Sequence, residues 1–173
     1  MIIKLYDIRE SLSVKGSFDG AKFKRPEDSD ISFLSPVEYE ITVQKAGESV
    51  WLRGPVRGRL SLACSRCLDQ FAYSVSSRLD IELLPREKAP ASPEVELKTE
   101  ETNVYYFEGE EIDIDPYVFE EVMLNMPIKP LCSEACKGIC PTCGKNLNVE
   151  ECRCQKMGTT ALGEKLRPFL KDL

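Results

Sequence analysis

Apolar and polar residues alternate along three successive stretches of the chain. In 37–45 the apolar positions are odd (Val37, Tyr39, Ile41, Val43), with Glu38, Glu40, Thr42 and Gln44 between them. In 51–62 they are even (Leu52, Val56, Leu60, Leu62), and Arg53, Arg57 and Arg59 are odd. In 71–83 they are odd again (Phe71, Tyr73, Val75, Leu79, Ile81, Leu83). A period of two marks half-buried strands. Facing residues of an antiparallel pair share a face and keep a constant index sum, so a parity that flips from strand to strand requires an odd sum. A two-residue turn at Gly47-Glu48 sets Ala46 opposite Ser49 and meets that condition. The same logic sets Arg57 opposite Glu38. With Leu62 opposite Phe71, it sets Arg53 opposite Asp80. The pattern predicts a three-stranded meander whose second turn, near 63–70, carries Cys64-Ser65-Arg66-Cys67.

Beyond the meander, Val104 to Phe107 reads as a short strand. Ile112 to Met126 reads as a helix, with Asp115 as N-cap, Pro116 at its first position and Pro127 as its stop. Ile114, Val118, Val122 and Met126 would share its buried face. A short C-terminal helix is expected around 160–170, with Leu162, Leu166, Phe169 and Leu170 on one stripe. The fold class expected is α+β: an antiparallel sheet with one packed helix and a Cys-rich C-terminal module. Three units follow: a sheet domain over 1–126, a Cys-rich module over 127–157 and a short helix within 158–173.

Charge is uneven. The 173 residues carry 23 bases and 29 acids, a formal charge of -6. Residues 80–121 hold 14 of those acids against 3 bases. With Pro85, Pro90 and Pro93, the stretch 85–102 reads as a flexible acidic loop. A general nucleic-acid binder is usually basic, so any such contact must be local. The absence of His removes histidine-based triads, proton shuttles and metal ligands. No catalytic residue, small-molecule substrate or membrane partner is suggested. Met1 to Glu10 has no apolar signal core, and no stretch reaches the ~18 apolar residues of a membrane span. The expectation is a cytoplasmic protein.

All eight Cys fall in two places: Cys64 and Cys67, then Cys132, Cys136, Cys140, Cys143, Cys152 and Cys154. An even count in short spacings, without a secretory signal, points to metal ligation rather than disulfides. A tight turn holding two thiolates is half of a tetrahedral zinc site. In Cys140-Pro141-Thr142-Cys143-Gly144 the glycine lets the backbone turn toward the sulfurs. Eight ligands make two four-cysteine Zn²⁺ sites. The preferred partition is Cys64/Cys67/Cys132/Cys136 and Cys140/Cys143/Cys152/Cys154, because the second set closes on itself. The rival pairs the two knuckles, Cys64/Cys67 with Cys140/Cys143, as in a zinc ribbon. Each filled site contributes -2, taking the charge to about -10.

The residues Leu62-Ala63-Cys64-Ser65-Arg66-Cys67-Leu68 with Phe71, the helix ending Asn125-Met126-Pro127, and Pro130-Leu131-Cys132 through Cys136 to Asn148 with Cys152 and Cys154 resemble the bacterial and plastid YceD family. That family is named for accumulation of large-subunit ribosomal RNA. The tail Gly158 to Leu173 departs from its pattern. The resemblance implies a non-catalytic role in 23S ribosomal RNA accumulation or large-subunit biogenesis. It also favours the preferred partition, because some members lack the later knuckle.

Contact candidates follow from charge. Between Glu48 and Asp69 there are four Arg and no acid. Arg53, Arg57 and Arg59 share a strand face with Trp51, a row suited to phosphates and a stacked base. Arg66 lies in the turn, and Lys137, Lys145, Arg153 and Lys156 surround the later cysteines. Cross-strand partners Glu38 and Asp80 would neutralise part of the row. Partners expected are ribosomal RNA or a large-subunit ribosomal protein, the latter met through the acidic block. The alternative is a thiol-redox enzyme or redox-sensing zinc switch built on the CxxC motifs.

Overall fold

The computed structural model describes residues 1–23, 31–90 and 103–154. The meander is present as β4 (Val37–Ala46), β5 (Ser49–Ala63) and β6 (Gln70–Pro85). Its registers are the expected ones: Ala46 faces Ser49, Glu38 faces Arg57, Leu62 faces Phe71 and Arg53 faces Asp80. Gly47 has φ 64°, which a two-residue hairpin turn needs at its first central position.

The sheet is larger than the meander. Before β4 come β1 (Ile2–Lys4), β2 (Ser11–Phe18) and β3 (Ser32–Phe33). After β6 come β7 (Val104–Phe107) and β8 (Glu111–Asp113). The main sheet runs β2-β4-β5-β6-β7, with β3 also on β5. It is mixed rather than wholly antiparallel, because β7 lies parallel to β6. β1 and β8 form a separate two-stranded pair. Of the stretch 85–102 expected as a flexible acidic loop, Pro85 instead ends β6 and Arg86–Lys88 is a 3-10 turn. Its 91–102 portion, like the helix expected around 160–170, lies outside the described residues.

The helix α1 spans Asp115–Leu124, shorter than the 112–126 expected. Ile112 belongs to β8, where its backbone pairs with Ile3. The N-cap is Ile114, with no side-chain cap, rather than Asp115; Pro116 sits in the first turn, where its missing N–H costs nothing. Ile114, Val118 and Val122 are fully buried and Met126 packs against the same core. Their partners are the inward residues of the meander, among them Ile41, Leu52, Val56, Leu79 and Leu83. Each such side chain contributes about 1.5–3 kcal/mol by leaving water. Phe23 stacks on Phe119 at 4.5 Å, extending the core beyond the helix.

Two glycines are required by closeness. Tyr39 crosses to α1, and its hydroxyl donates to Asp115 Oδ1 at 2.6 Å. On β2, Gly16 leaves room for that ring: a Cβ there would stand 2.6 Å from Tyr39 Cζ and Oη. In β5, Gly54 approaches β4 so closely that a Cβ would overlap the Glu40 carbonyl. The sheet therefore presents one apolar face to α1 and turns its polar face outward. The long β5–β6 hairpin carries its tip, with Cys64 and Cys67, to the Cys-rich segment.

Candidate metal centre

The hairpin tip and the later knuckle are two copies of one turn. In the first, the Leu68 amide donates to the Cys64 carbonyl at 2.9 Å and the Cys64 amide to the Asp69 carbonyl at 2.9 Å. In the second, the Gly144 amide donates to the Cys140 carbonyl at 2.8 Å and the Cys140 amide to the Lys145 carbonyl at 2.8 Å. Each turn puts two sulfurs on one side of a closed loop.

The segment after α1 is fastened onto the first turn. The Ser65 amide donates to the Pro130 carbonyl at 2.8 Å, and the Ile139 amide to the Arg66 carbonyl at 3.1 Å. Arg66 Nη1 donates to the carbonyls of Glu134 and Cys136, both at 2.9 Å. Gly138, with φ 75°, passes so near that a Cβ would lie 3.0 Å from the Arg66 carbonyl oxygen. Asn146 donates to Asp69, tying the second turn to the first. Asn148 accepts from the Lys137 amide at 2.8 Å and donates to Cys136 Sγ at 3.3 Å.

These bonds gather the eight sulfurs into two groups: Cys64, Cys67, Cys132 and Cys136, then Cys140, Cys143, Cys152 and Cys154. Within each group all sulfurs lie within 4.8 Å of one another. Cys64 and Cys136 are 3.8 Å apart, Cys67 and Cys132 3.7 Å. In the second group Cys143 and Cys152 are 3.6 Å apart, Cys140 and Cys152 3.3 Å. A tetrahedron with metal–sulfur bonds of ~2.3 Å has edges of about 3.8 Å. The first group has that size and the second is slightly tighter. No disulfide joins any of the eight. Each group can hold one metal ion. The grouping is the local partition; the two knuckles are not paired with each other.

The groups differ in burial. Cys64, Cys67 and Cys136 are buried with Phe71 and Leu131 packed beside them. In the second group only Cys140 is buried. Amide donors favour thiolate in both. Backbone N–H groups of Cys132, Cys67 and Arg66 draw the Cys64 thiol down to about 6 against its burial. Those of Cys143 and Thr142 draw Cys140 down to about 6. The Asn148 amide lowers Cys136. Cys67 accepts from the Asp69 amide, yet burial and the adjoining sulfurs push it up to about 12. Cys64 and Cys136 in the first group and Cys140 in the second are thus drawn toward the thiolate form that a metal ion takes.

The expected contact residues fall into two sets. Arg53 is engaged: Nε meets Asp80 at 2.7 Å and the guanidinium lies 4.2 Å from the Trp51 ring centre, covering one ring face. Arg66 is the clamp described above. Lys145 pairs with Glu150 at 2.7 Å. Arg57, Arg59, Lys137 and Arg153 have no side-chain hydrogen bond or ion pair among the described residues. Lys156 lies outside them. The clamp of Arg66 and the tie of Asn146 are absent from the sequence reading, since both depend on contacts across more than 60 residues.

A family model described as "Large ribosomal RNA subunit accumulation protein YceD" matches residues 52–169. Among curated proteins, the chain is 29% identical over 143 residues to "Large ribosomal RNA subunit accumulation protein YCED homolog 1, chloroplastic" of Arabidopsis thaliana, covering 69% of this chain and 44% of that protein. It is 31% identical over 114 residues to an uncharacterized protein of Mycobacterium tuberculosis strain H37Rv, covering 66% and 53%. It is 30% identical over 123 residues to the uncharacterized protein YlbN of Bacillus subtilis, covering 70% and 67%. The chain thus spans about half the length of the first two. No solved structure matches it.

Proposed function

Since the chain belongs to the YceD family of large ribosomal RNA subunit accumulation proteins, we propose that it is a non-catalytic, zinc-binding factor for accumulation of 23S ribosomal RNA and biogenesis of the large subunit. It acts in a reducing cytoplasm by contacting ribosomal RNA or a large-subunit ribosomal protein. The sheet domain is the platform and the Cys-rich segment is a zinc module locked to it. Cys64, Cys67, Cys132 and Cys136 hold one Zn²⁺; Cys140, Cys143, Cys152 and Cys154 hold the other. Zinc is structural in both: four thiolates fill a tetrahedron and leave no open position for water or substrate.

The observation that carries the reading is the extent of the family match. It begins within β5 and takes in all eight cysteines. The matched stretch therefore spans the hairpin and both sulfur groups. Among the described residues no helix is long and apolar enough to cross a membrane.

Deletion of the gene, followed by sucrose-gradient sedimentation and quantification of precursor and mature 23S RNA, tests the reading. A deficit of large subunits, restored by the full chain, is expected; unchanged large-subunit and precursor levels would refute it. Alkylation of the native protein separates it from thiol-redox chemistry. Structural zinc protects the thiols until chelator is added, whereas a redox dithiol reacts at once.

A further inference from the structure

The outward face of the sheet is electrically polarised along its length. At one end Glu82 faces Trp51 and Asp80 faces Arg53, and Arg53 is neutralised by that carboxylate. Further along the same two strands the facing pairs are Arg78 with Pro55, Arg57 with Ser76, and Arg59 with Ser74. Arg57, Arg59 and Arg78 are exposed, and none has an ion pair or side-chain hydrogen bond among the described residues. Three acids border them: Glu38, across from Arg57 and itself unpaired, Glu40, held by Lys15 at 3.0 Å, and Asp80, two residues from Arg78 and held by Arg53. Two open clefts flank Arg57. One, of about 400 Å³, is lined by Arg57 and Arg59 with the serines 35, 74 and 76 and by Glu38; the other, of about 460 Å³, holds Glu38 and the Lys15–Glu40 ion pair beside Ser17.

Guanidinium groups and hydroxyls are the partners of phosphate oxygens, and arginine presents a planar fork that takes two oxygens at once. Alternate residues of a strand stand about 7 Å apart on one face, a spacing comparable to that of successive phosphates on a nucleic-acid strand. The cleft of Arg57 and Arg59 has no aromatic side chain to stack a base, and Trp51 is capped on one face by Arg53. The chemistry suits backbone and not base.

We propose that Arg57, Arg59 and Arg78, with the hydroxyls of Ser74 and Ser76 between them, form a binding site for the phosphodiester backbone of RNA on the outward face of the sheet. This rests on the ribosomal reading above and goes further: it assigns the contact to the free end of the arginine row and gives Arg53 a structural role. The acidic remainder of the chain confines binding to this strip.

Filter binding of labelled large-subunit ribosomal RNA to the full zinc-loaded chain tests it over a range of salt. The double variant Arg57→Gln/Arg59→Gln should bind about tenfold more weakly at low salt, with a salt slope smaller by about 1 for each arginine lost. Arg57→Lys/Arg59→Lys should keep most of the slope, because charge is conserved. Arg53→Gln should change neither. Circular dichroism and zinc content should match the parent protein in all three, which excludes misfolding as the cause. The proposal is overturned if the glutamine pair binds like the parent, if Arg53→Gln costs as much, or if the parent retains no RNA. It is equally overturned if the same variants abolish capture of a ribosomal protein and leave RNA untouched. Failure of the ribosomal reading shows elsewhere, as normal large-subunit levels in the deletion strain.

Discussion

Leu68 and Gly144 hold the same place in two turns of one design. Each follows the second cysteine of a Cys-x-x-Cys, each donates its amide to the first cysteine's carbonyl, and their φ angles are 64° and 73°. Glycine reaches that left-handed region freely, whereas a side chain crowds the carbonyl there at a cost of about 1–2 kcal/mol. Leu68 is 65% exposed, so it recovers little of that by burial. Leu68→Gly should raise stability by about 0.5–1 kcal/mol, the relief exceeding the entropy glycine adds to the unfolded chain. Gly144→Ala should lower it by about 1 kcal/mol, although a Cβ there meets nothing within 4 Å. Urea unfolding at fixed zinc concentration reads both.

The two sulfur groups should be lost separately. Elemental analysis should find two metal ions per chain, one for each group. Cys140→Ser should release one and leave the sheet's circular dichroism unchanged, because its partners lie within 140–154. Cys64→Ser should release the other and lower stability by several kcal/mol, since ion binding there is also the docking of 130–139 onto the hairpin. One ion or none in the parent protein would contradict the two-site assignment.

Tyr39 should carry an alkaline signature. Its hydroxyl is held well above the ordinary tyrosine range, first by burial, then by its hydrogen bond to Asp115 and by the charges of Asp115 and Asp113. The folded state therefore favours the protonated phenol. That stabilisation is complete below the unfolded value of about 10 and is lost as pH rises through the higher folded value. Tyr39→Phe should cost about 1.5–3 kcal/mol at neutral pH, the range for a hydrogen bond to a charged partner. The gap between the two proteins in urea should shrink as the solution is made strongly alkaline.

Gly54 should be intolerant of any side chain. A Cβ would overlap the Glu40 carbonyl, which is backbone and cannot rotate aside. Gly54→Ala should force β4 and β5 apart and cost about 3 kcal/mol or more. Gly47→Ala has open space and a positive φ, so it should cost only about 1 kcal/mol. Thermal midpoints of the pair separate steric overlap from backbone strain.

Parity and one turn sufficed for the meander, because register there is a local consequence of Gly47-Glu48 and of alternation. Arg53 opposite Asp80 and Arg57 opposite Glu38 follow from it residue by residue. What was hidden depends on partners remote in the chain. Ile112 and Ile114 suit a helix face and a strand face equally, and it is Ile3 that decides for β8 by offering a backbone ladder. In β2 the apolar row Leu12, Val14, Phe18 is broken at Gly16, whose reason is the ring of Tyr39 on the next strand. The grouping of sulfurs was legible because one set is contiguous. Arg66 was not legible as a clamp, since nothing in its charge distinguishes a residue that grips carbonyls from one that meets phosphate.

The two sulfur groups also differ in what must fold before each can close. Cys64 and Cys136 are 72 positions apart, and the chain between them contains β6, β7, β8 and α1. The second group closes within a short loop, a contact that forms quickly and at small entropic cost. A cation held by the second group would need only that loop. One held by the first would need hairpin and helix already docked. A metal ion in the first group would therefore report completed docking, whereas one in the second would report only its own loop.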